Sequence, residues 1–313
     1  MQLNLTIIII GRNVHKTLDD CISSIHRSIS RAPFVSKVQI VYVDSSSDDL
    51  STEVAKKHGL EIYKIETDYV TAAMGRFIGL RHSKNNTILF LDGDMELDQN
   101  WFRLSLEYYL KYGAIHGDRH EKVYVGDIMQ AEIERFYDIK TPSVSTNIGG
   151  CFMIRRELIG DINFCPILKD EEERDFYARL IENTKIYAVP IPMFIHNNYK
   201  TQTNKVFEYL SPQGRIGYLI SFFNAVKHSY FSGYLRLQWK YLLTCILSVL
   251  CFCLCLLGYF GVSSLPFIIN LFIWRVYPFG GLATFVSFPY KFLCAVYYYR
   301  KFKNFNLQYV RII

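Results

Sequence analysis

Ile88-Leu89-Phe90-Leu91-Asp92-Gly93-Asp94 is the stretch that decides the fold. Its first four residues make a short apolar run of the kind that forms a strand covered on both faces. Two carboxylates one residue apart follow at once. In an open α/β sheet the end of such a strand borders the crevice where ligands bind. Mg²⁺ or Mn²⁺ takes oxygen ligands there, commonly one or two carboxylates together with substrate phosphates. Asp92 and Asp94 are therefore candidates to hold a divalent cation and, with it, the diphosphate of a nucleotide-sugar. An acidic triplet can equally be a solvated turn, so its weight depends on what surrounds it.

Upstream, strand and helix patterns alternate. Leu5–Ile10 reads as a strand, Gly11-Arg12-Asn13 as a turn, and Thr17–Ile29 as a helix with Leu18, Cys21, Ile22 and Ile25 at helical spacing. Lys37–Val43 is a second strand ending at Asp44, and the Ser45–Asp49 loop leads to a helix over Leu50–His58 closed by Gly59. Leu60–Ile65 is a third strand, and Thr71–Arg81 a helix that feeds strand Thr87–Leu91. Such repeats predict an α/β fold with a mostly parallel sheet and helices on both faces. Asp44 ends strand two as Asp92 ends strand four, so both carboxylates can face one crevice, where Asp44 could accept hydrogen bonds from a base or ribose.

Downstream the pattern loosens. Val123–Tyr137 reads as strand then helix, Gly149–Ile154 as a turn into a strand, Asp170–Ile181 as a helix opened by acidic residues, and Ile186–Val189 as a closing strand. Gly214–Lys240 mixes aromatics with scattered Lys, Arg and His, as in an interfacial amphipathic helix.

Of the 313 residues, 50% are hydrophobic and 16% aromatic, and the excess is concentrated late. No charged residue or His lies between Tyr241 and Trp274. As one helix this stretch would run roughly 50 Å, against a bilayer core of about 30 Å, so it is expected to span once and turn near Gly261–Pro266. A second crossing, over 266–285 or 280–299, would bury Arg275 or Lys291 and stays open. Lys227, Arg236 and Lys240 before the span and Arg300, Lys301, Lys303 and Arg311 after it place both flanks in the cytosol, with an even number of crossings. Leu5–Ile10 is too short, and lacks the basic leader, to be a signal peptide. The net charge of +6 sits in the membrane-flanking segments, so anionic lipid accounts for it and nucleic acid is not indicated. Five of the eight cysteines fall in the hydrophobic region, and none forms a CxxC pair.

Ile9–Asn13, Val43–Ser47 with Asp49, Phe90–Asp94, Gly149-Gly150, Glu172-Glu173 with Asp175 and Arg179-Leu180, and His196 occur in that order. Over roughly residues 3–215 the chain resembles the family 2 glycosyltransferases of GT-A fold, and its hydrophobic end is similar to that of membrane-anchored bacterial members that build surface polysaccharides. The resemblance implies a GT-A domain over 1–212, an interfacial segment over 213–240, membrane helices within 241–299 and a basic tail over 300–313. It implies donor contacts from Gly11, Arg12, Asn13, Asp44, Ser46, Arg76 and Asp92, and a Mn²⁺ or Mg²⁺ held by Asp92 and Asp94 with His196 near. It makes Glu173 the catalytic base, paired with Glu172 where many members carry Glu-Asp, and it puts Gly149 and Gly150 beside the acceptor. Position 45 is Ser where many members have a second Asp, so base and ribose contacts can differ.

The implied reaction is an inverting transfer from a nucleotide-sugar, UDP-linked by preference, to a hydroxyl of a glycan or lipid-linked saccharide. The cation offsets the charge of the leaving diphosphate, and a base takes the acceptor's proton. Three other readings compete with it. A nucleotidyltransferase on a related sheet would activate sugars, but it usually carries a Gly-rich loop after strand one, of which Gly11-Arg12-Asn13 is a poor version. A polyprenyl-phosphate acceptor, already an anion, would not need Glu173. A non-catalytic, membrane-tethered sugar-binding scaffold would not need all of Asp44, Asp92, Asp94 and Glu173.

Overall fold

The computed structural model of the chain describes residues 2–126, 128–199, 216–273, 278–302 and 305–312. The chain divides into two units, one made of residues 1–167, 172–201 and 306–313 and one of residues 168–171 and 202–305.

The first unit is built on β1 (Leu3–Gly11), whose side chains are buried on both faces of the sheet. Leu5, Ile7 and Ile9 meet Leu18, Cys21, Ile22 and Ile25 of α1 (His15–Ser30) in the core. On the other face β1 meets α3 (Ala72–His82), which follows β2 (Val35–Asp44), α2 (Ser51–Lys57) and β3 (Glu61–Ile65). Gly75 and Gly79, one turn apart, allow that helix to lie directly on Ile10 and Ile8; a Cβ at Gly79 would overlap Ile8, and one at Gly75 would sit 2.9 Å from Ile10. Thr71 caps α3 by accepting a hydrogen bond from Met74 N at 3.1 Å. Arg76 is thereby carried on a helix pressed against the sheet.

β4 (Thr87–Asp92) pairs in parallel with β1, and the expected parallel order holds over β3-β2-β1-β4. Beyond β4 the sheet turns mixed. β5 (Met95–Leu97), α4 (Trp101–Tyr112), β6 (Ala114–Val125), β7 (Ile128–Ile133), β8 (Ser143–Val144), β9 (Phe152–Arg155), α5 (Arg156–Ile159), α6 (Glu172–Leu180) and β10 (Tyr187–Tyr199) follow along the chain. β9 lies antiparallel between β4 and β6, while β10 runs parallel to β6 and antiparallel to β5.

Two expectations are corrected here. The described residues of Val123–Tyr137 hold no helix: Gly126 takes φ 61° and β7 pairs back on β6. The strand begun at Tyr187 continues to Tyr199, so His196 lies within β10 and not after it. Within the basic tail, β11 (Tyr309–Arg311) adds antiparallel to the β3 edge. Tyr309 Oη is 3.0 Å from His82 Nε2, and Arg311 pairs with Glu61 at 3.4 Å. That strand covers an edge which would otherwise offer unpaired backbone groups.

The second unit contains α7 (Gly217–Lys227), α8 (Phe231–Leu256), α9 (Phe260–Ile273) and α10 (Pro278–Lys301). The amphipathic segment expected over Gly214–Lys240 is therefore broken at His228–Tyr230, where Ser229 takes φ 60°; its first two residues lie outside the described ones. The turn after the apolar span falls at Leu257–Tyr259, with Gly258 at φ 81°, and Pro266 sits inside α9. Arg275 lies outside the described residues. α8 alone is long and apolar enough to cross a bilayer among the described residues, with a mean hydropathy of 2.0 over its best window. Small polar groups tie the bundle together: Thr244 donates to Asn270 Oδ1 (2.9 Å), Asn270 to Gly281 O (3.1 Å) and Ser248 to Phe285 O (2.7 Å).

Candidate active site

The register of the parallel strands sets Gly11 beside Asp44, and Ile10 beside Asp92, along one edge of the sheet. Backbone bonds lock that edge, from Ser45 N to Gly11 O and from Gly93 N to Ile10 O, both at 2.8 Å. A cleft of about 280 Å³ opens there, lined by Gly11, Arg12, Ser45, Thr71, Asp92 and Asp94 among others. Its size is near the lower end of small-molecule sites.

On the β1–β2 side the two loops are sewn to each other. Asn13 adopts φ 57°, its N–H donates to Ser47 Oγ at 2.9 Å, and its Oδ1 accepts from Asp48 N at 3.1 Å. Val14 N donates to Ser51 Oγ at 2.9 Å, and His15 N to Asp49 Oδ2 at 3.1 Å. Asp44, a candidate base or ribose contact, is fully buried and does not line the cleft. It accepts from Ser47 N at 3.2 Å and lies 3.7 Å from Lys64 Nζ. Ser46 is also turned away, donating its hydroxyl to Ile65 O at 2.6 Å. Its neighbour Ser45 reaches the cleft instead.

Across the cleft, Arg76 gathers three carboxylates. Its Nη2 lies 2.9 Å from Asp92 Oδ1 and 3.1 Å from Glu173 Oε1, and its Nη1 lies 2.8 Å from Glu172 Oε1. The Arg76 side chain is only 2% exposed, so among the described residues it meets these acids and not solvent. Glu172 and Glu173 open α6, where the helix dipole favours negative charge. Glu172 is buried, whereas Glu173 keeps 21% of its side chain exposed. Gly150 closes the group: a Cβ there would overlap Asp92 Oδ2 and sit 2.8 Å from Arg76 Nη2. Gly149, at φ 58°, makes the turn that brings it in. Burial pushes the carboxyls of Asp92 and Glu172 above the ordinary range; neighbouring acids add to the rise and Arg76 opposes it.

Asp94 and His196 form a second cluster. His196 Nε2 is 3.5 Å from Asp94 Oδ2, and Nδ1 is 2.8 Å from Glu121 Oε2. Asn197 N also donates to Asp94 O at 3.0 Å. Burial works against a charged imidazole, but the carboxylates of Asp94 and Glu121 outweigh it and raise His196 above its ordinary value. Asp94 Oδ1 is buried and has no hydrogen-bond partner among the described residues.

Glu121 is the residue that sequence reasoning missed. It is 4% exposed in β6, pairs ionically with Arg119 Nε at 3.0 Å, and accepts a hydrogen bond from Asn198 Nδ2 at 2.8 Å. Asp118 is the other, accepting from Tyr137 N and Ile139 N to shape the loop after β7. The available signal was Asp118-Arg119-His120-Glu121-Lys122, five charged or titratable residues in a row before the apolar Val123.

The chain matches the profile of Glycosyl transferase family 2 over residues 6–162, half of its length. It belongs to glycosyltransferase family 2. No curated protein matches it. Among solved structures it is similar to S. aureus TarS 1-349 in complex with UDP-GlcNAc, at TM-score 0.52 and 15% identity, over 64% of this chain and 60% of that one. The same TarS segment with UDP gives 0.50 and 14%, over 69% and 66%. A third structure of that segment gives 0.52 and 15%, over 77% and 79%. This glycosyltransferase thus spans about three-fifths of the first of these structures, and at such identity the likeness concerns the GT-A fold.

Proposed function

We propose that this glycosyltransferase moves a sugar from a nucleotide-sugar, UDP-linked by preference, to a hydroxyl of a glycan or lipid-linked saccharide at a membrane, with inversion. The observation that carries the proposal is Glu173, held 3.1 Å from Arg76 beside Asp92 while still partly exposed. A carboxylate so fixed can take the proton of an attacking hydroxyl without becoming a nucleophile itself. Glu172 balances the remaining face of the guanidinium, so Arg76 acts as a positioning residue and not as a diphosphate ligand. Gly11, Arg12 and Ser45 would border the nucleoside, and Asn13, Asp44 and Ser46 would support them by shaping the loops. The bare Cα of Gly150 leaves room at Asp92, and with Gly149 it would border the acceptor.

The donor set fits a hard divalent cation such as Mn²⁺ or Mg²⁺. Asp94 Oδ1 lacks a partner, and His196, with Nδ1–H on Glu121, keeps Nε2 toward Asp94. Among the described residues no group of three His, Cys, Asp or Glu side chains is placed to hold an ion by itself, so substrate phosphates would have to complete its ligands. When bound, such an ion would offset the charge of the leaving diphosphate. Support for UDP comes from the UDP-GlcNAc and UDP held by TarS structures of the same fold.

The membrane reading rests on α8 and on the apolar outer faces of the second unit, among them Leu256 (71% exposed), Phe272 (74%) and Leu293 (69%). The catalytic unit would face the cytosol. The test is nucleotide release from a panel of nucleotide-sugars by the detergent-solubilised chain, with Mn²⁺ or Mg²⁺ and with chelator. Metal-dependent release that disappears in Asp94→Ala is the expected result. Donor turnover that survives in Asp94→Ala would refute the assignment of the site.

A further inference from the structure

Within the second unit, the last turns of α7 and α10 enclose a groove of about 490 Å³. Its walls include Phe222, Phe223, Val296 and Tyr299, and among the described residues its only charges are Lys227 and Arg300. The Phe223 ring lies 5.4 Å from that of Tyr299. Neither Lys227 nor Arg300 has an ion-pair partner among the described residues. Three tyrosines, Tyr297 to Tyr299, precede Arg300 and Lys301. Aromatic rings followed by cations are the pattern of a membrane–water interface, where long side chains snorkel to the headgroups. Each cation also suits the C-terminal end of its own helix. That preference does not require the two to share one apolar groove.

We propose that this groove binds one anionic phospholipid of the bilayer, its acyl chain against Phe223 and Tyr299 and its phosphate between Lys227 and Arg300. Among the described residues the lining has no carboxylate or amide side chain to read a saccharide. A headgroup recognised by charge alone therefore fits a bulk phospholipid better than a sugar carrier. The proposal rests on the membrane reading of the second unit.

The full chain is tested first by flotation with phosphatidylcholine vesicles, with and without phosphatidylglycerol. Native mass spectrometry of the chain released from mixed nanodiscs then counts the lipids it retains. Wild type is expected to keep one phosphatidylglycerol in preference to phosphatidylcholine. Since each cation near an anionic surface is worth about 1 kcal/mol, or a factor of five, Lys227→Gln/Arg300→Gln should cut that preference about thirty-fold. The paired control Arg236→Gln/Lys240→Gln, outside the groove, should leave it. Val296→Trp, which fills the groove with both charges intact, should also lose the lipid while still floating.

Equal retention of phosphatidylglycerol by wild type and the Lys227/Arg300 variant overturns the site. So does displacement of phosphatidylglycerol by an equal amount of polyprenyl phosphate, which would make the groove a carrier site. A wild type that floats yet retains both phospholipids equally refutes the groove and leaves the membrane reading standing. A wild type that floats with neither vesicle refutes both.

Discussion

The β1–β2 side of the cleft and the β4–β9–β10 side handle polar groups in opposite ways. On the first, the 11–15 and 44–51 loops answer one another donor for acceptor: Asn13 with Ser47 and Asp48, Val14 with Ser51, His15 with Asp49. On the second, Asp92, Glu172 and Glu173 share one guanidinium, and Asp94 Oδ1 has no partner among the described residues. Satisfied loops hold a shape. Crowded carboxylates cost stability in the free protein and are retained where a ligand or a reaction uses them. Substitutions of the second side's carboxylates should therefore remove activity, and those on the first side should remove stability.

The largest expected effect is that of Glu173→Gln. It keeps the side chain's length and can still receive a hydrogen bond from Arg76, but it cannot take a proton. Steady-state kinetics should show kcat lower by about 10²–10⁴-fold with the donor KM little changed. Because the change also removes one like charge from a crowded group, the melting temperature should hold or rise. A variant with wild-type kcat would point to an acceptor already ionised and exclude Glu173 as base.

Arg76→Leu should destroy both properties together. It leaves Asp92, Glu172 and Glu173 facing one another without a counter-charge, and breaking a buried pair of this kind costs about 3–5 kcal/mol. Denaturant unfolding would measure that loss. Partial rescue is expected from Arg76→Lys, which restores the charge without the fork that reaches all three acids. A fully stable Arg76→Leu would mean that the acids are protonated and that the cluster is ordinary hydrogen bonding.

His116 gives a pH handle on the second side, away from the carboxylates. It is 3% exposed in β6, within hydrogen-bond reach of Gly117 O and Ser145 Oγ. Burial lowers it from an ordinary 6.5 to about 4. The unfolded chain then binds a proton that the folded chain refuses, so this contribution is present above 6.5 and is lost as pH falls toward 4. The loss is on the order of 3 kcal/mol across that window. Urea midpoints for wild type and His116→Gln should converge as the pH falls from 7 to 4.5. Parallel profiles would show that His116 titrates normally.

The same contrast explains what was legible in the sequence. β1 to β4 with α1 to α3 follow local periodicity, and the strand ends at Asp44 and Asp92 could be read because apolar runs stop there. Arg76, Glu172 and Glu173 were recognised by order, yet their convergence needed a tertiary fact: Gly75 and Gly79 let α3 lie on the sheet. Residue type did not reveal that Asp44 and Ser46 turn inward, since only the register and the bonds to Ser47 N and Ile65 O show it. β7 does not read as a strand because Ile128–Ile133 lacks a strong alternation, and each of its residues is exposed. Glu121 and β11 were missed for one reason. Their partners, His196 and β3, lie far away along the chain, and long-range pairing leaves little local trace.

The smallest effect tests the quiet side. Ser51 is fully buried, and its Oγ accepts from Val14 N while donating to Asp49 Oδ1. Ser51→Ala strands the Val14 N–H, which no longer has its acceptor, and costs about 1–2 kcal/mol. Arg12 sits on the same loop, so the donor KM should rise a few-fold as that loop loosens, while kcat stays within a factor of two. If kcat fell a hundredfold with stability unchanged, the 11–15 loop would belong to the reacting side, and the division drawn between the two sides of the cleft would have to be redrawn through β1. If neither value moved, water would be replacing the hydroxyl, and the stitching would define the shape of the loops without adding to their stability.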